Sequence, residues 1–485
     1  MTNSNSSLES NGISNPIELF FNQAERNPDG LALASPRTTL TFKMLERVSR
    51  QMARKLTRLG IEPGETVGVN CQPETMVIVW LALLQIGVTT LHVNASISIE
   101  FGESIDAVIV DDSLTKIKHN RLITIDSDFL ESLDGTRPLD ETTRLTNTSL
   151  IRVVFSSGTT GVPKGVPFTL ENFLSRVESA RVNWIPMQPF MSLLGPDTVS
   201  GFQTVFAQLF SGNSYLVSHG SERVWDVIKM NEVKSIKTSP AKLADLIRAH
   251  RTKGSIANLG LEVIQVAGSL LSKSLAAHCL ETFGVTPTYL YGSTEVGTVS
   301  KGDFNPDKPN CVGQFVPGVE CEIVDTGDNP VPAGQIGFVR VRQKEMPARY
   351  WQGPKTETSG FRFGWFYPGD SGSINSNGEL FIDGRSDDLV NAGGVKANLA
   401  LLDQELNDVK EFSDVATFEF VGQLGESQIG VAYTSFEAIK PEELQRLVSN
   451  RTPGYIFSSF VRLDSIPRNA LGKVQRQELS NLNRV

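Results

Sequence analysis

The chain has 485 residues, is 40% hydrophobic and 20% charged, and carries a net charge of −9 at pH 7. That length is too great for one hydrophobic core, so two or three lobes are expected, and the composition is that of a globular protein rather than a disordered or fibrous one. The acidic balance excludes a general nucleic-acid binder while leaving room for a local basic pocket.

The four cysteines (Cys71, Cys279, Cys311, Cys321) are dispersed, without Cys-x-x-Cys or Cys/His spacing. They read as reduced thiols of a cytoplasmic protein. The five histidines are scattered as well, so no metal cluster is expected. Residues 1–15 are polar and Ser/Asn-rich, lack the regions of a signal peptide, and are expected to be disordered. The most apolar stretch, Met76 to Val88, is broken by Gln85 and is too short for a membrane span. It predicts a buried helix.

Taken in order, Ile17, Phe20, Phe21 and Ala24 form a helical stripe, and Leu31–Ala34 with Thr38–Thr41 predict a hairpin. Thr41 is placed to cap a helix with a buried face of Leu45, Val48, Met52, Leu56 and Leu59, closed by Gly60. Strand-like and helical runs then alternate: Thr66–Cys71, Glu74–Ile86, Thr89–Val93, Ala107–Val110, Leu122–Ile125. This is the pattern of a largely parallel α/β sheet. Much of the segment from Ala95 to Thr146 is polar and poorly periodic. Beyond Leu170–Val182 the alternation resumes through Val205–Phe210, Ser235–Lys237, Leu243–Ala249, Leu261–Val266 and Lys273–Phe283. From Gly313 to Val341 short β runs with Gly and Pro turns suggest a small barrel-like subdomain. The last hundred residues alternate strand and helix and suffice for a small α+β domain.

The chemistry concentrates at Ile151–Val166. A β-branched and aromatic run, Ile151 to Phe155, leads into Ser156-Ser-Gly-Thr-Thr-Gly-Val-Pro-Lys-Gly165. Glycines let backbone N–H groups approach a polyphosphate, hydroxyls donate hydrogen bonds, and Lys164 adds a mobile charge. An ordinary P-loop does not fit: Pro163 stands where its second glycine belongs, and Gly165 replaces its Ser/Thr. Four further stretches follow: Tyr291-Gly-Ser-Thr-Glu295, Gly364-Trp-Phe-Tyr-Pro-Gly-Asp370, Gly384-Arg-Ser-Asp-Asp388 and Pro467-Arg-Asn-Ala-Leu-Gly-Lys473. Read alone, the first could be a turn into a helix, the second a β-turn, the third a charged loop and the last a solvated lysine.

In this order the stretches resemble the signatures of the adenylate-forming superfamily, which holds acyl-CoA synthetases, nonribosomal peptide synthetase adenylation domains and firefly luciferase. The resemblance covers nearly the whole chain. It implies an α/β N-terminal domain with a small β subdomain (residues 16–384), a hinge (385–388) and a small mobile α+β domain (389–485). It further implies ATP contacts at Ser156, Ser157, Gly158, Thr159, Thr160, Gly161 and Lys164, and at Gly268, Ser269, Tyr291, Gly292, Ser293 and Thr294. Glu295 would hold Mg²⁺, and Asp370 and Arg385 the ribose. Asp387 would be the hinge residue, Gly394 would lie beside the thiol tunnel, and Lys473 would enter the site from the mobile domain. The implied reaction is ATP-dependent activation of a carboxylic acid to acyl-AMP, then transfer to a thiol, with CoA the expected acceptor. The alternatives are a carrier protein acting in trans or an amine as acceptor, with an amino acid as a candidate substrate. A non-catalytic nucleotide binder is disfavoured by the joint presence of Lys473, Glu295 and Asp370.

The chain departs from the family pattern in three places. Pro368 stands where Thr is usual. Leu399, Leu401 and Leu402 replace Pro and Glu after Gly394. The segment Leu194–Gly201 has no His or aromatic gate; Asp197 or Thr198 takes that place and is assigned to the acyl pocket. Asp197 must be solvated or meet a positive partner, either within the protein or as a substrate amine.

Overall fold

The computed structural model describes residues 14–485 apart from 95–96, 98–100, 112–116, 157–163, 186, 219–220, 253–259, 345, 353–359, 386–387, 393–394, 408, 423–425, 469–473 and 483–485. Helix α1 (Ile17–Arg26) buries Ile17, Phe20, Phe21 and Ala24, the expected stripe. Strands β1 (Leu31–Ala34) and β2 (Thr39–Thr41) pair antiparallel. Helix α2 (Phe42–Arg58) starts where Thr41 accepts a hydrogen bond from Met44 N. Leu45, Met52 and Leu56 are fully buried, but Leu59 is 47% exposed. The helix ends at Arg58, so Leu59 leaves the buried stripe and Gly60 turns the chain at φ +87°.

A six-stranded sheet follows. β3 (Thr66–Asn70), β4 (Thr89–His92), β5 (Ala107–Asp111), β6 (Leu122–Ile125), β7 (Leu150–Ser156) and β8 (Lys164–Thr169) lie in the order β6-β5-β3-β4-β7-β8. All pairs are parallel except β7/β8. Helix α3 (Pro73–Ile86) is apolar on every side and buried from Met76 to Ile86. Its single polar break is explained: Gln85 Nε2 donates to Leu139 O at 2.8 Å and Glu141 O at 2.9 Å, fastening the aperiodic segment along the helix. Asn15 does the same from the other side, donating to Leu84 O and Thr143 O while fully buried. The packed structure therefore begins within the stretch expected to be disordered.

Helix α4 (Leu170–Asn183) opens on a capping box of Thr169 and Asn172. β9 (Phe190–Ser192), helix α5 (Val199–Phe210) and β10 (Tyr215–Leu216) come next. The apolar run Val205–Phe210 is the second half of α5, which begins at the Thr198 cap. β11 (Ser235–Thr238), β12 (Val263–Ala267) and β13 (Thr288–Ser293) continue in parallel beside β9.

The strands of the expected small β subdomain are joined to this sheet by hydrogen bonding. β14 (Gly297–Asp303) folds back antiparallel on β13, and β15 (Cys311–Phe315) pairs with β14. β16 (Val319–Val324), β17 (Gly337–Gln343), β18 (Phe361–Arg362), β19 (Trp365–Phe366), β20 (Asp370–Ile374) and β21 (Glu379–Arg385) extend it to 12 strands. The path runs β18-β19-β17-β20-β21-β15-β14-β13-β12-β11-β9, with β16 on β17.

One buried apolar cluster spans Ile17 to Ile382, and a separate one begins at Val390. The latter belongs to the hairpin β22 (Leu389–Ala392)/β23 (Val395–Asn398), helix α6 (Leu399–Asn407) and the sheet β24 (Asp414–Val421), β25 (Ser427–Thr434), β26 (Phe457–Arg462). Helix α7 (Arg476–Leu482) packs on β24. All four cysteines are free, and burial pushes the Cys279 and Cys321 thiols up to about 12. Among the described residues no helix is long and apolar enough to cross a membrane.

Candidate active site

The loop after β7 is held at its base by an antiparallel pair, Ser156 against Lys164. Ser157, Gly158, Thr159, Thr160 and Gly161 lie outside the described residues, as do Asp387, Gly394 and Lys473. The far edge of β8 is buttressed: Trp351 N donates to Gly165 O at 2.7 Å, and the Trp351 ring packs with Phe101 and Phe155. Lys164 Nζ stands 5.4 Å from the centre of the Tyr350 ring.

Tyr350 links this loop to the second signature. Its hydroxyl donates to Glu295 Oε1 at 2.8 Å. The Glu295 backbone is fixed independently by Arg176 of α4, whose Nη2 donates to Glu295 O at 2.7 Å. The signature itself is a β-hairpin rather than a turn into a helix. Tyr291, Gly292 and Ser293 end β13, Thr294 to Val296 turn, and β14 returns. Gly292 is demanded by space: a Cβ there would lie 2.1 Å from Gly297 O. Ser293 Oγ accepts from Val296 N and closes the turn.

Tyr291 then reaches the third signature. Its hydroxyl donates to Asp370 Oδ2, and Arg385 Nη1 lies 3.7 Å from Asp370 Oδ1. Asp370 and Arg385 are cross-strand partners on β20 and β21. Burial, then the Asp370 charge, holds the Tyr291 phenol well above its usual range, so it stays a donor. Tyr350 is raised by burial and by Glu295, and Arg385 acts on both phenols. Lys164, Tyr350, Glu295, Tyr291, Asp370 and Arg385 thus form one connected polar surface. Beside it, Ser269 O accepts from the Tyr289 hydroxyl at 3.1 Å, and Gly268 turns the chain at φ +101°.

Glu295 is 6% exposed and has no ion pair among the described residues. A buried carboxylate without a protein cation fits a divalent metal. Among the described residues no cluster of three His, Cys, Asp or Glu is present. Glu295 would therefore hold Mg²⁺ with at most one further described carboxylate, thiolate or imidazole, and the metal would neutralise phosphate charge there.

Two assigned pocket residues have local partners. Thr198 caps α5, accepting from Gly201 N at 3.0 Å and donating to Gly195 O at 2.8 Å. The Asp197 charge acts on Arg152, His92 and Lys242. Arg152 is fully buried, stacked 4.0 Å from the Trp80 centroid and 4.2 Å from Phe202, and burial lowers it to about 9 against the pull of Asp197.

The sequence reading passed over Tyr350, Trp351 and Arg176. Two adjacent aromatics in a Gly- and Pro-punctuated stretch were the available signal for the first pair; a lone Arg on an amphipathic helix gave none.

Comparison with known proteins supplies the family of this sheet-borne polar surface. Residues 20–351 match the AMP-binding enzyme family, to which the chain belongs. It is 25% identical to oxalate–CoA ligase of Arabidopsis thaliana over 95% of this chain and 96% of that protein. It is 24% identical to tyrocidine synthase 3 of Brevibacillus parabrevis over 96% of this chain but 8% of that protein. The fold superposes on the O-succinylbenzoate coenzyme A synthetase of Bacillus subtilis solved in complex with AMP, with TM-score 0.83, 22% identity, and coverage of 95% and 97% of the two chains.

Proposed function

We propose that the protein is an AMP-forming acid–thiol ligase with CoA as the acceptor. The observation that carries this reading is the connected surface from Lys164 through Tyr350 and Glu295 to Tyr291, Asp370 and Arg385. It offers cationic and hydroxyl groups for phosphates at one end and a carboxylate able to accept ribose hydroxyls at the other.

A carboxylate oxygen attacks the α-phosphorus of ATP, the bond to pyrophosphate breaks, and acyl-AMP forms. Lys164 and the hydroxyls of the phosphate loop, Ser156, Ser157, Thr159 and Thr160, neutralise and position the phosphates with Thr294. Glu295 would hold Mg²⁺, which would supply charge neutralisation on the phosphates. Asp370 fixes the ribose, and Lys473 bonds the acid and the bridging oxygen. The domain beyond residue 388 then turns about Asp387, and the thiolate of CoA displaces AMP along a tunnel beside Gly394. The dispersed, free cysteines support a cytoplasmic location. A carrier-protein thiol is the second reading, favoured by the match to one segment of tyrocidine synthase 3.

The test is acid-dependent pyrophosphate release across a panel of carboxylic acids, with thioester formation followed with and without CoA. Release together with a CoA thioester supports the reading. Release with no thioester moves it to another acceptor, and no release with any acid overturns it.

A further inference from the structure

β9, β11 and β12 run parallel, and their register sets Ser192, Lys237 and Gln265 side by side in one cross-strand row. Partners in register point to the same face of a sheet. All three are buried, at 8%, 2% and 3% exposure. Lys237 Nζ stands 3.4 Å from the ring centre of Trp184, the residue that ends α4. The row therefore lies beneath the helix whose Arg176 anchors the Glu295 turn.

Most of the polar capacity in this row is unspent. Lys237 has no carboxylate or hydrogen-bond partner at Nζ among the described residues. Gln265 Oε1 and Trp184 Nε1 are buried and also lack partners. Burial alone, with no opposing carboxylate, drives the Lys237 ammonium well below its usual range. A buried lysine and amide left open in this way cost stability that an apolar row would not. The row lies on strands whose carboxyl ends lead toward the site. Ligands of parallel α/β sheets bind beyond the carboxyl ends of the strands. On the face of Gln265 the next residue toward that end is Ala267, a single methyl and partly exposed, about 7 Å further along the strand. Gly268 and Ser269 of the nucleotide surface follow directly.

Resting on the ligase reading above, we propose that Lys237 and Gln265 form the floor of the acid pocket and that the substrate is a dicarboxylic acid, whose second carboxylate is held by this pair. The Lys237 ammonium answers that charge, Gln265 Nε2 donates to the remaining oxygen, and the open Gln265 Oε1 accepts from the ammonium.

The experiment compares matched acids, such as adipate with hexanoate and succinate with butyrate, in acid-dependent ATP–pyrophosphate exchange by the wild type, Lys237→Met and Gln265→Leu. The wild type is expected to favour the dicarboxylate of the better pair by about tenfold or more in kcat/KM. Lys237→Met should lose about that factor on the dicarboxylate and leave the monocarboxylate and the KM for ATP unchanged, with a melting temperature at or above wild type. Gln265→Leu should shift the preference in the same direction. Equal losses on both acids, or a wild-type preference for the monocarboxylate, overturn the assignment while leaving the ligase reading intact. No exchange with any acid overturns the ligase reading and this inference together.

Discussion

The Tyr350 hydroxyl donates a 2.8 Å hydrogen bond to Glu295 Oε1, joining two buried side chains 55 residues apart. It is the described side-chain bond to the carboxylate assigned to the metal, so it orients that ligand. Tyr350→Phe removes the donor and keeps the ring. The variant should lose about 1–3 kcal/mol of stability. The Mg²⁺ concentration for half-maximal pyrophosphate release should rise about tenfold or more. An unchanged Mg²⁺ titration would remove Tyr350 from the site.

Asp197 is predicted to act on stability rather than on substrate choice. His92 has its pKa lowered from 6.5, first by burial, with Asp197 pulling it back up and Arg152 pushing it down. The unfolded chain therefore binds this proton more readily, and stability falls as pH drops below 6.5 toward the folded-state value. Asp197→Asn removes the group that opposes this shift. Its melting temperature should fall more steeply than wild type between neutral and mildly acid pH, with a loss of about 1–2 kcal/mol at pH 7 from the unbalanced Arg152. The ranking of acid substrates should not change. Loss of one amino-acid substrate alone, with no change in melting, would return Asp197 to the role of amine holder.

Gly292 tests the hairpin. An added methyl meets the Gly297 carbonyl, a backbone atom that cannot step aside without opening the β13/β14 turn. Gly292→Ala should therefore displace Thr294 and Glu295 and lower the rate of acyl-AMP formation by about a hundredfold. Wild-type rates in a folded variant would show that the turn has slack.

The site was legible where chemistry imposes composition. A phosphate loop needs glycines, hydroxyls and a lysine close together; in the fold Tyr291 and Arg385 meet Asp370, and Glu295 meets Tyr350. What failed to show was pairing at a distance. The short β runs after Gly313 read as a small β unit, and local alternation does not reveal that its strands also join the larger sheet. The register of β13 on β14 carries the sheet onward. Tyr350 escaped for the same reason: its partner is set by the fold. Gln85 looked like an interruption of an apolar helix and is its fastening to Leu139 and Glu141.

Arg476, the first residue of α7, ties that helix to Asp388 of the hinge segment and to Asp403 of α6. Its Nε lies 2.9 Å from Asp388 Oδ1 and its Nη2 2.8 Å from Asp403 Oδ2. Asp388 adjoins the proposed hinge residue, and Arg476 lies three residues beyond Lys473. Arg476→Met should cost about 2–3 kcal/mol by leaving buried Asp403 and half-buried Asp388 without their cation. Both half-reactions should slow, and Arg476→Lys should recover only part of the loss because one ammonium cannot bridge both partners as the guanidinium does. Full activity in Arg476→Met would show that this bridge does not position the mobile domain.

The last prediction separates the two half-reactions. Lys473 is assigned to the adenylation step only, since it neutralises charge on the attacking acid and the leaving phosphate. Lys473→Ala should lower acid-dependent pyrophosphate release by about a hundredfold or more. The same variant, given preformed acyl-AMP and CoA, should form thioester at close to the wild-type rate, because by then the domain has turned and another face meets the site. Asp387→Pro should show the opposite imbalance. Proline fixes φ at the hinge, so adenylation survives better than thioester formation. Equal losses of both steps in Lys473→Ala would remove the lysine from its assigned role. Unchanged rates for both steps in Asp387→Pro would place the hinge elsewhere. The two variants together therefore locate the moving part without assuming which acid is activated.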